Sequence, residues 1–457
     1  MVRTGLQASH DPQSAPRMVK RILSVALGVA LGSLLAMGGA RFALARGWFG
    51  NRDLDHSAAY VRQVLELVND NYVDGNAVAY PKLTNSALHG VVESLDPHSE
   101  FLEAKDYQDL EEEVTSEFVG IGIQIEYHNG HVVVIDPIKD SPSDHAGVKR
   151  GDQLMKIDGV AVEKTATIDS IVERLRGKPK SHVNVVFYRP TTKSEFPVNL
   201  VREVIKFDSV KPPQMLSEGI GYIQISEFTE RTGEEFINAL NKLAPKGLAG
   251  LVLDLRNNPG GLLDSAVAVA EPFFKKGDLI VYTQGRKPKD RDEYRAEASE
   301  PPLGIPTVVL INENSASAAE IVAGAMRDAG KAIIVGERSF GKGSVQSIFK
   351  LNDGQGMRLT TARYYTPSGV TIHERGVEPH VNVVMSNEDD QNIRLQLTRD
   401  DVKEDADFKE RFGVSRVEDR QLEAGEAVLR AIILLEGREP DASKAVNPNA
   451  GVKAPAA

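Results

Sequence analysis

Two short stretches, Gly250 to Leu255 and Thr307 to Ile311, are almost wholly apolar and rich in Val, Ile and Leu. Runs this short and this uniformly apolar suit strands buried on both faces. Each is followed by a helical pattern, Leu262 to Phe274 after the first and Ala318 to Ala329 after the second. Tyr222 to Ile225 and Ile333 to Val335 read as further strands, and Gly233 to Leu243 as a helix. Strands alternating with helices predict a layered α/β core over residues 204–385. Residues 284–304, rich in charge, Pro and Gly, read as a surface loop.

Upstream the periodicity differs. Val61, Val64, Leu65 and Val68 recur at helical spacing, and a second helix is predicted over Leu83 to Leu95, so residues 54–113 read as a helical region. The acidic run Asp109 to Glu113 reads as a solvated helix face. From residue 116 to 203 the chain is predicted to form short strands, Val119 to Ile125, His131 to Ile135, Leu154 to Ile157 and Val183 to Tyr188. A helix from Ile168 to Arg176 belongs to the same unit. Beyond residue 386 the chain turns acidic and polar, apart from an amphipathic helix over Leu422 to Leu435, and residues 439–457 read as a disordered tail.

At 457 residues, about 100–200 per domain gives two to four domains. With 54 basic against 65 acidic residues the net charge is −11, which argues against a general nucleic-acid binder. Cysteine is absent, so thiol nucleophiles, disulfides and Cys-ligated metals are excluded. The ten histidines form no H-x-x-x-H or H-E-x-x-H pair, and neither a metal nor a cofactor is expected. At the N-terminus, Arg3, Arg17, Lys20 and Arg21 precede an uncharged run from Ile22 to Ala40, followed by the small-x-small triplet Ala43-Leu44-Ala45. Residues 1–45 fit a cleaved signal peptide and a retained membrane anchor alike. Either one places residues 46–457 across the membrane, in the periplasm of a bacterium, tethered to the inner membrane if the segment is kept.

Three segments carry candidate chemistry. Asn312 to Glu320 lies between a buried strand and a helix, where Ser317 could present its hydroxyl beside free N–H groups suited to a developing oxyanion. The same residues also spell S-x-x-E, a helix-capping box. Gly336 to Gln346 approaches a phosphate loop, but Gly343 stands where that loop needs Ser or Thr, and a strand pattern follows instead of a helix. Its glycines look like a frame that lets backbone approach Lys342 closely; an exposed turn lysine is the plainer reading. Asp254 to Leu262 ends a buried strand in Asn-Asn-Pro-Gly-Gly, either a tight turn or a pair of N–H groups aimed at an anion. His373 is the best-placed histidine for a Ser-His-Asp alternative, although nothing around it marks it out.

Together these segments resemble the bacterial carboxyl-terminal processing peptidases, or tail-specific proteases, from about Leu54 to Val383. The strings are Leu95-Asp96-Pro97-His98-Ser99, Phe118 to Ile123, Asp152 to Gly159, Leu253 to Gly261, Asn314 to Ser317, Gly341 to Gln346 and Ala362 to Gly369. The resemblance implies a PDZ domain inserted before a crotonase-like layered α/β protease core, with helical N- and C-terminal elements. It implies Ser317 as nucleophile (Ser315 being the less favoured serine), Lys342 as general base and Gln346 as the residue that orients the lysine. The Ala318 N–H, with that of Gly260 or Gly261, would form the oxyanion hole. If the lysine segment is a strand, the even spacing of Lys342 and Gln346 puts both side chains on one face. Gly120, Ile121, Gly122 and Ile123 resemble the loop that captures a C-terminal carboxylate, and Arg176 is a candidate relay from that site to the lysine. The implied partners are protein or peptide substrates with accessible apolar C-termini, an adaptor protein and further copies of the chain. The rival readings are a catalytically silent or partner-activated periplasmic PDZ scaffold and a phosphate-loop nucleotidase.

Overall fold

The computed structural model describes residues 51–437, except 116, 129, 164, 217–218 and 400–401. The leader of residues 1–45 and the tail of 439–457 lie outside the described residues. The chain divides into two units, residues 1–90 and 91–457. In the first, α1 (Arg52–Asn71) is capped by Asn51, whose side chain accepts from the N–H groups of Asp53 and Leu54. None of its residues is buried; of the predicted apolar face, Val61 and Val64 are exposed and Leu65 and Val68 half-buried. Helix α2 spans Tyr80–Glu93.

The second unit opens with the turn Asp96 to Ser99, closed by Asp96 Oδ1, which accepts the N–H groups of His98 and Ser99 at 2.8 and 3.0 Å. Strand β1 (Glu100–Leu102) follows, within the region predicted to be helical. Next comes α3 (Ala104–Thr115), which carries the acidic run. The single strand predicted over Val119 to Ile125 is two, β2 (Glu117–Gly120) and β3 (Ile123–His128), in different sheets. The break falls at Gly122, whose φ of 73° most side chains avoid and where a Cβ would sit 2.2 Å from the Ser141 Cβ.

Strand β3 begins a six-stranded antiparallel sheet with β4 (His131–Pro137), β5 (Gln153–Ile157), β6 (Val160–Ala161), β7 (His182–Arg189) and β8 (Ser194–Val201). Helices α4 (Pro142–His145) and α5 (Ile168–Leu175) complete the domain. Along β7 the residues Val183, Val185 and Phe187 are wholly buried, the period-two pattern of a strand with one face in a core. Strand β9 (Glu203–Lys206) leaves the domain and pairs antiparallel with the entering β2, so both connections form one two-stranded stalk.

The α/β core begins with β10 (Gln214–Met215), β11 (Ile220–Gln224), α6 (Thr232–Leu243), β12 (Gly250–Asp254) and α7 (Leu263–Ala270). It continues with β13 (Leu279–Gly285) and β14 (Arg291–Arg295), the latter inside the stretch predicted as a loop; its alternating charges face solvent while the backbone pairs with β13. Then come β15 (Thr307–Ile311), α8 (Ala318–Asp328), β16 (Ile333–Gly336), β17 (Ser344–Lys350), β18 (Gly356–Tyr365) and β19 (Val381–Asn382). One sheet has the order β10-β11-β12-β15-β16-β19, parallel from β11 onward. Strands β12 and β15 are buried throughout, as their composition predicts. Leu251, Leu253, Val309 and Ile311 face the large core that includes residues of α6, α7 and α8, whereas Val252, Val308 and Leu310 face the other side. There they meet Leu429 of the C-terminal helix α11 (Arg420–Leu435). A second sheet, β1-β18-β13-β14 with β17 paired to β18, contributes Val281 and Tyr364 to the large core.

Two more helices, α9 (Asn387–Thr398) and α10 (Asp405–Phe412), fill the C-terminal region where one was predicted. They hold the small domain by its edge: Glu126 of β3 accepts from Arg399 at 2.6 Å and from Arg411. Deeper in the core, Arg256 is wholly enclosed between Asp254 (2.6 Å) and Asp419 (2.7 Å), and the Tyr222 hydroxyl donates to Asp254 at 2.7 Å. This ties the start of α11 to the carboxyl end of β12.

Candidate active site

Strands β12 and β15 end side by side, with Asp254 opposite Leu310, and both chains turn at their carboxyl ends. In open α/β sheets that is where ligands bind. Asn258 pins the first turn, its side chain donating to the Ile225 carbonyl and accepting the Gly260 N–H, both at 2.8 Å. The Ala316 N–H donates to the Asn258 carbonyl at 2.9 Å, which lays the second turn on the first. Ser315 is wholly buried, and its hydroxyl donates to the Leu255 carbonyl at 2.8 Å, so it is a peg beneath the turn.

Ser317 stands at the start of α8 with φ 54° and ψ −115°. For a residue with a Cβ, so sparse a region costs about 1–3 kcal/mol and persists only where the surroundings enforce it. Gly260 makes room for it: a Cβ there would lie 2.6 Å from the Ser317 Cβ and 2.8 Å from the Ala316 carbonyl oxygen. The capping role falls to Glu320, whose Oε2 accepts the Ser317 N–H at 2.9 Å, while the Ser317 hydroxyl lies 2.6 Å from that of Tyr364. Burial pushes the Tyr364 phenol well above its ordinary value, so it stays protonated.

Glu320 does more than cap. Wholly buried, it also accepts the Lys342 N–H on Oε2 at 2.8 Å, and on Oε1 the Gly341 N–H at 2.8 Å and the Ser339 hydroxyl at 2.5 Å. One carboxylate therefore holds the backbone of Ser317 and of Lys342 together. Burial pushes the Glu320 carboxyl up, and its four donors pull against that shift. The glycine frame around Lys342 is real: a Cβ at Gly343 would meet the His373 nitrogen at 2.4 Å, and the Glu374 N–H donates to the Gly341 carbonyl at 2.8 Å. His373 thus braces the lysine loop through its backbone. Strand β17, not a helix, follows the loop, so the helix N-terminus that a phosphate loop requires is not formed.

The parity argument lacks its strand at the lysine end, because Lys342 precedes β17. Within β17 the alternation holds, since the register shift at Val345 and Gln346 is taken up by an extra residue, Thr361, on β18, and Gln346 shares a face with Ser344. The Gln346 Nε2 donates to the Ser344 hydroxyl at 2.8 Å and to the Thr360 hydroxyl at 3.3 Å. Of the two glycines, Gly260 has its N–H committed to Asn258. Gly261 bridges Phe228 in parallel fashion, Leu262 donating to the Phe228 carbonyl at 2.7 Å and Phe228 to the Gly260 carbonyl at 2.8 Å. In that pattern the Gly261 N–H points away from Phe228.

The carbonyls of Ile121 and Gly122 are taken by the N–H groups of Ser143 (3.0 Å) and Ile138 (2.9 Å), which fixes the loop ahead of β3. The Tyr127 hydroxyl of β3 reaches the Ala166 carbonyl just before α5. Arg176, at the end of α5, pairs with Glu112 of α3 at 2.8 Å and covers the Phe118 ring. The acidic face of α3 is therefore only partly solvated: Glu112 turns inward to the arginine. Four residues not singled out in the sequence sit here: Glu320 as a hub, Tyr364, Thr360 and Asp96. Asp96 and Tyr364 lie in the resembling strings, and Glu320 shows there only as a cap; Thr360 carries no sequence signal.

Residues 219–383 match Peptidase family S41 and residues 119–200 match the PDZ domain. The carboxy-terminal-processing protease of Bartonella bacilliformis is 40% identical over 306 residues, 66% of this chain and 70% of that one. The chain belongs to the carboxy-terminal processing proteases of peptidase family S41. The carboxy-terminal processing protease CtpB of Bacillus subtilis is 32% identical over 332 residues, 72% of this chain and 68% of that one. Among solved structures, the photosystem II D1 C-terminal processing protease is 30% identical, covering 71% of this chain and 92% of its own, with a TM-score of 0.41. This protease is accordingly a serine endopeptidase that carries a PDZ domain and acts on proteins.

Proposed function

We propose that this protease is exported, recognises the C-terminal tail of its substrate through the PDZ domain, and cleaves with Ser317 as nucleophile and Lys342 as general base. The observation that carries the reading is the Glu320 carboxylate, which takes the N–H of Ser317 and of Lys342 on the same oxygen. Lys342 removes the Ser317 proton, Oγ bonds to the scissile carbonyl carbon, and the oxygen becomes an oxyanion. The Ala318 N–H, unpaired at the first position of α8, and the Gly261 N–H are the donors suited to it. Collapse expels the amine, which takes the proton back from Lys342, and water releases the acyl group by the same steps. Neutral lysine is required for the proton removal. Gln346 is assigned to orienting the amine.

The Ser317–Tyr364 hydrogen bond favours a resting form. Tail binding at Gly120 to Ile123 would then have to release the serine hydroxyl toward Lys342. Arg176, set between α5 and α3, is the relay in this reading: Arg176→Ala keeps peptide affinity and lowers turnover. The leader of residues 1–45 supports a periplasmic location, and the exposed Val61 and Val64 of α1 support a homo-oligomer. An adaptor protein that delivers substrates fits the same scheme.

The test incubates the full chain with a loosely folded protein bearing an apolar C-terminal tail, beside Ser317→Ala, Lys342→Ala and Lys342→Arg, and reads the products by mass spectrometry. Cleavage by the wild type alone supports the dyad. Guanidinium cannot serve as a base, so a Lys342→Arg protein that cleaves sinks it. Equal cleavage by all four proteins points to a contaminant.

A further inference from the structure

The turn Asp96 to Ser99 lies far from Ser317 in the chain, yet it reaches the strand after Lys342 through hydrogen bonds by way of Thr360. Asp96 Oδ1 accepts the His98 and Ser99 N–H groups and the Thr360 hydroxyl at 3.2 Å, and Oδ2 accepts the Ser99 hydroxyl at 2.8 Å. The Thr360 N–H in turn donates to the Ser99 hydroxyl oxygen at 3.1 Å. Beyond them, Gln346 Nε2 meets the Thr360 hydroxyl oxygen. His98, half-buried in the same turn, is held below its ordinary pKa by burial and by the charge of Lys342. The turn therefore lies within electrostatic reach of the lysine.

We propose that Asp96 and Thr360 are positioning residues that lock the Gln346 amide in one orientation, nitrogen toward Thr360 and carbonyl oxygen presented as an acceptor for the Lys342 amine. The proposal rests on the reading that Gln346 orients Lys342. An ionised carboxylate only accepts hydrogen bonds, so the one hydroxyl hydrogen of Thr360 goes to Asp96. The Thr360 oxygen is left with lone pairs alone and can pair only with a donor, which is Nε2. A flipped amide would set Oε1 against an oxygen with no hydrogen to offer. Ser344 can serve either end of the amide, and Thr360 cannot. The orientation of a side-chain amide, ordinarily open, is thus fixed by a carboxylate two hydrogen bonds away.

The experiment follows initial cleavage rates of fluorescein-labelled casein by the full chain and by Thr360→Val, Thr360→Ser, Gln346→Leu and the Thr360→Val/Gln346→Leu double variant. Valine keeps the shape and removes the hydroxyl. Thr360→Val is expected to lower kcat/KM about tenfold, the size of one lost hydrogen bond. Thr360→Ser restores it to within about twofold. In the Gln346→Leu background Thr360→Val costs nothing further, because its effect passes through the amide. A Thr360→Val enzyme at wild-type rate beside an impaired Gln346→Leu overturns the relay and leaves the Gln346 assignment standing. Losses that add in the double variant overturn it too. Wild-type activity in Gln346→Leu overturns both.

Discussion

Replacing Glu320 by Gln tests the hub of the site with almost no change of shape. The carboxylate faces four donors: the N–H groups of Ser317, Gly341 and Lys342 and the Ser339 hydroxyl. The Ser339 hydroxyl accepts the Val377 N–H at 2.6 Å and donates its one hydrogen to the carboxylate, so turning that hydrogen away would give up its acceptor. Gln offers one oxygen and one NH2. Whichever way it sits, its nitrogen confronts two donors, either Ser317 and Lys342 or Ser339 and Gly341. Two buried donors then lose their acceptor, at about 1–3 kcal/mol each, so about 2–6 kcal/mol falls on the contact between the two loops. Relief comes from moving one loop off the other, and a displacement of about 1 Å in a catalytic group costs about 100-fold in rate. Glu320→Gln should lower the thermal midpoint and reduce casein cleavage by about 100-fold, with the larger part in kcat. Measuring both on the full chain separates unfolding from misplacement. A variant with wild-type midpoint and rate would refute the claim that one carboxylate registers Ser317 against Lys342.

Gly260→Ala puts a methyl 2.6 Å from the Ser317 Cβ at a φ of 104°, and should cut kcat/KM by about 100-fold or more; an unchanged rate would deny the close approach. Arg256→Met leaves Asp254 buried without its cation and should cost about 3–5 kcal/mol in urea unfolding, whereas an unshifted midpoint would mean that the ion cluster is dispensable. Glu126 is raised by burial but more strongly lowered by Arg399 and Arg411, so its folded pKa lies below the ordinary carboxylate range. Its contribution is complete above that range and is lost as the pH falls through the folded value. Hydrogen exchange, corrected for its intrinsic pH dependence, should therefore show β3 and α10 losing protection together on acidification, and Glu126→Gln should lack that step. Protection unchanged into acid would refute the latch.

The core strands were legible because burial on both faces leaves a compositional mark: β12 and β15 are apolar runs whatever surrounds them. The helices of the core showed by periodicity for the same reason. Strand β14 did not, since its alternating charges resemble a loop and only its pairing with β13 makes it a strand. Strand β1 was hidden because three residues after a turn carry no period, and its partner β18 is remote in sequence. The split between β2 and β3 escaped for a similar reason, since both halves are apolar and only the sheet each joins separates them.

The sequence by itself determined which residues are present to do chemistry: a serine before a helix, a lysine among glycines, a Pro-Gly-Gly turn, and no cysteine. Local rules reach that far, because caps, turns and burial patterns are set by neighbours along the chain. Which hydrogen bond each group makes was decided only by the tertiary structure. Ser315 and Ser317 look alike in sequence, and a carbonyl from β12's end takes one while a tyrosine from β18 meets the other. Glu320 reads as a cap, and the lysine loop folding back onto α8 makes it the joint of the site. Gln346 meets Thr360 of β18 across a bulge at Thr361 that only strand pairing reveals. These outcomes depend on groups far apart in the chain meeting where water is excluded, and nothing local encodes which groups those will be.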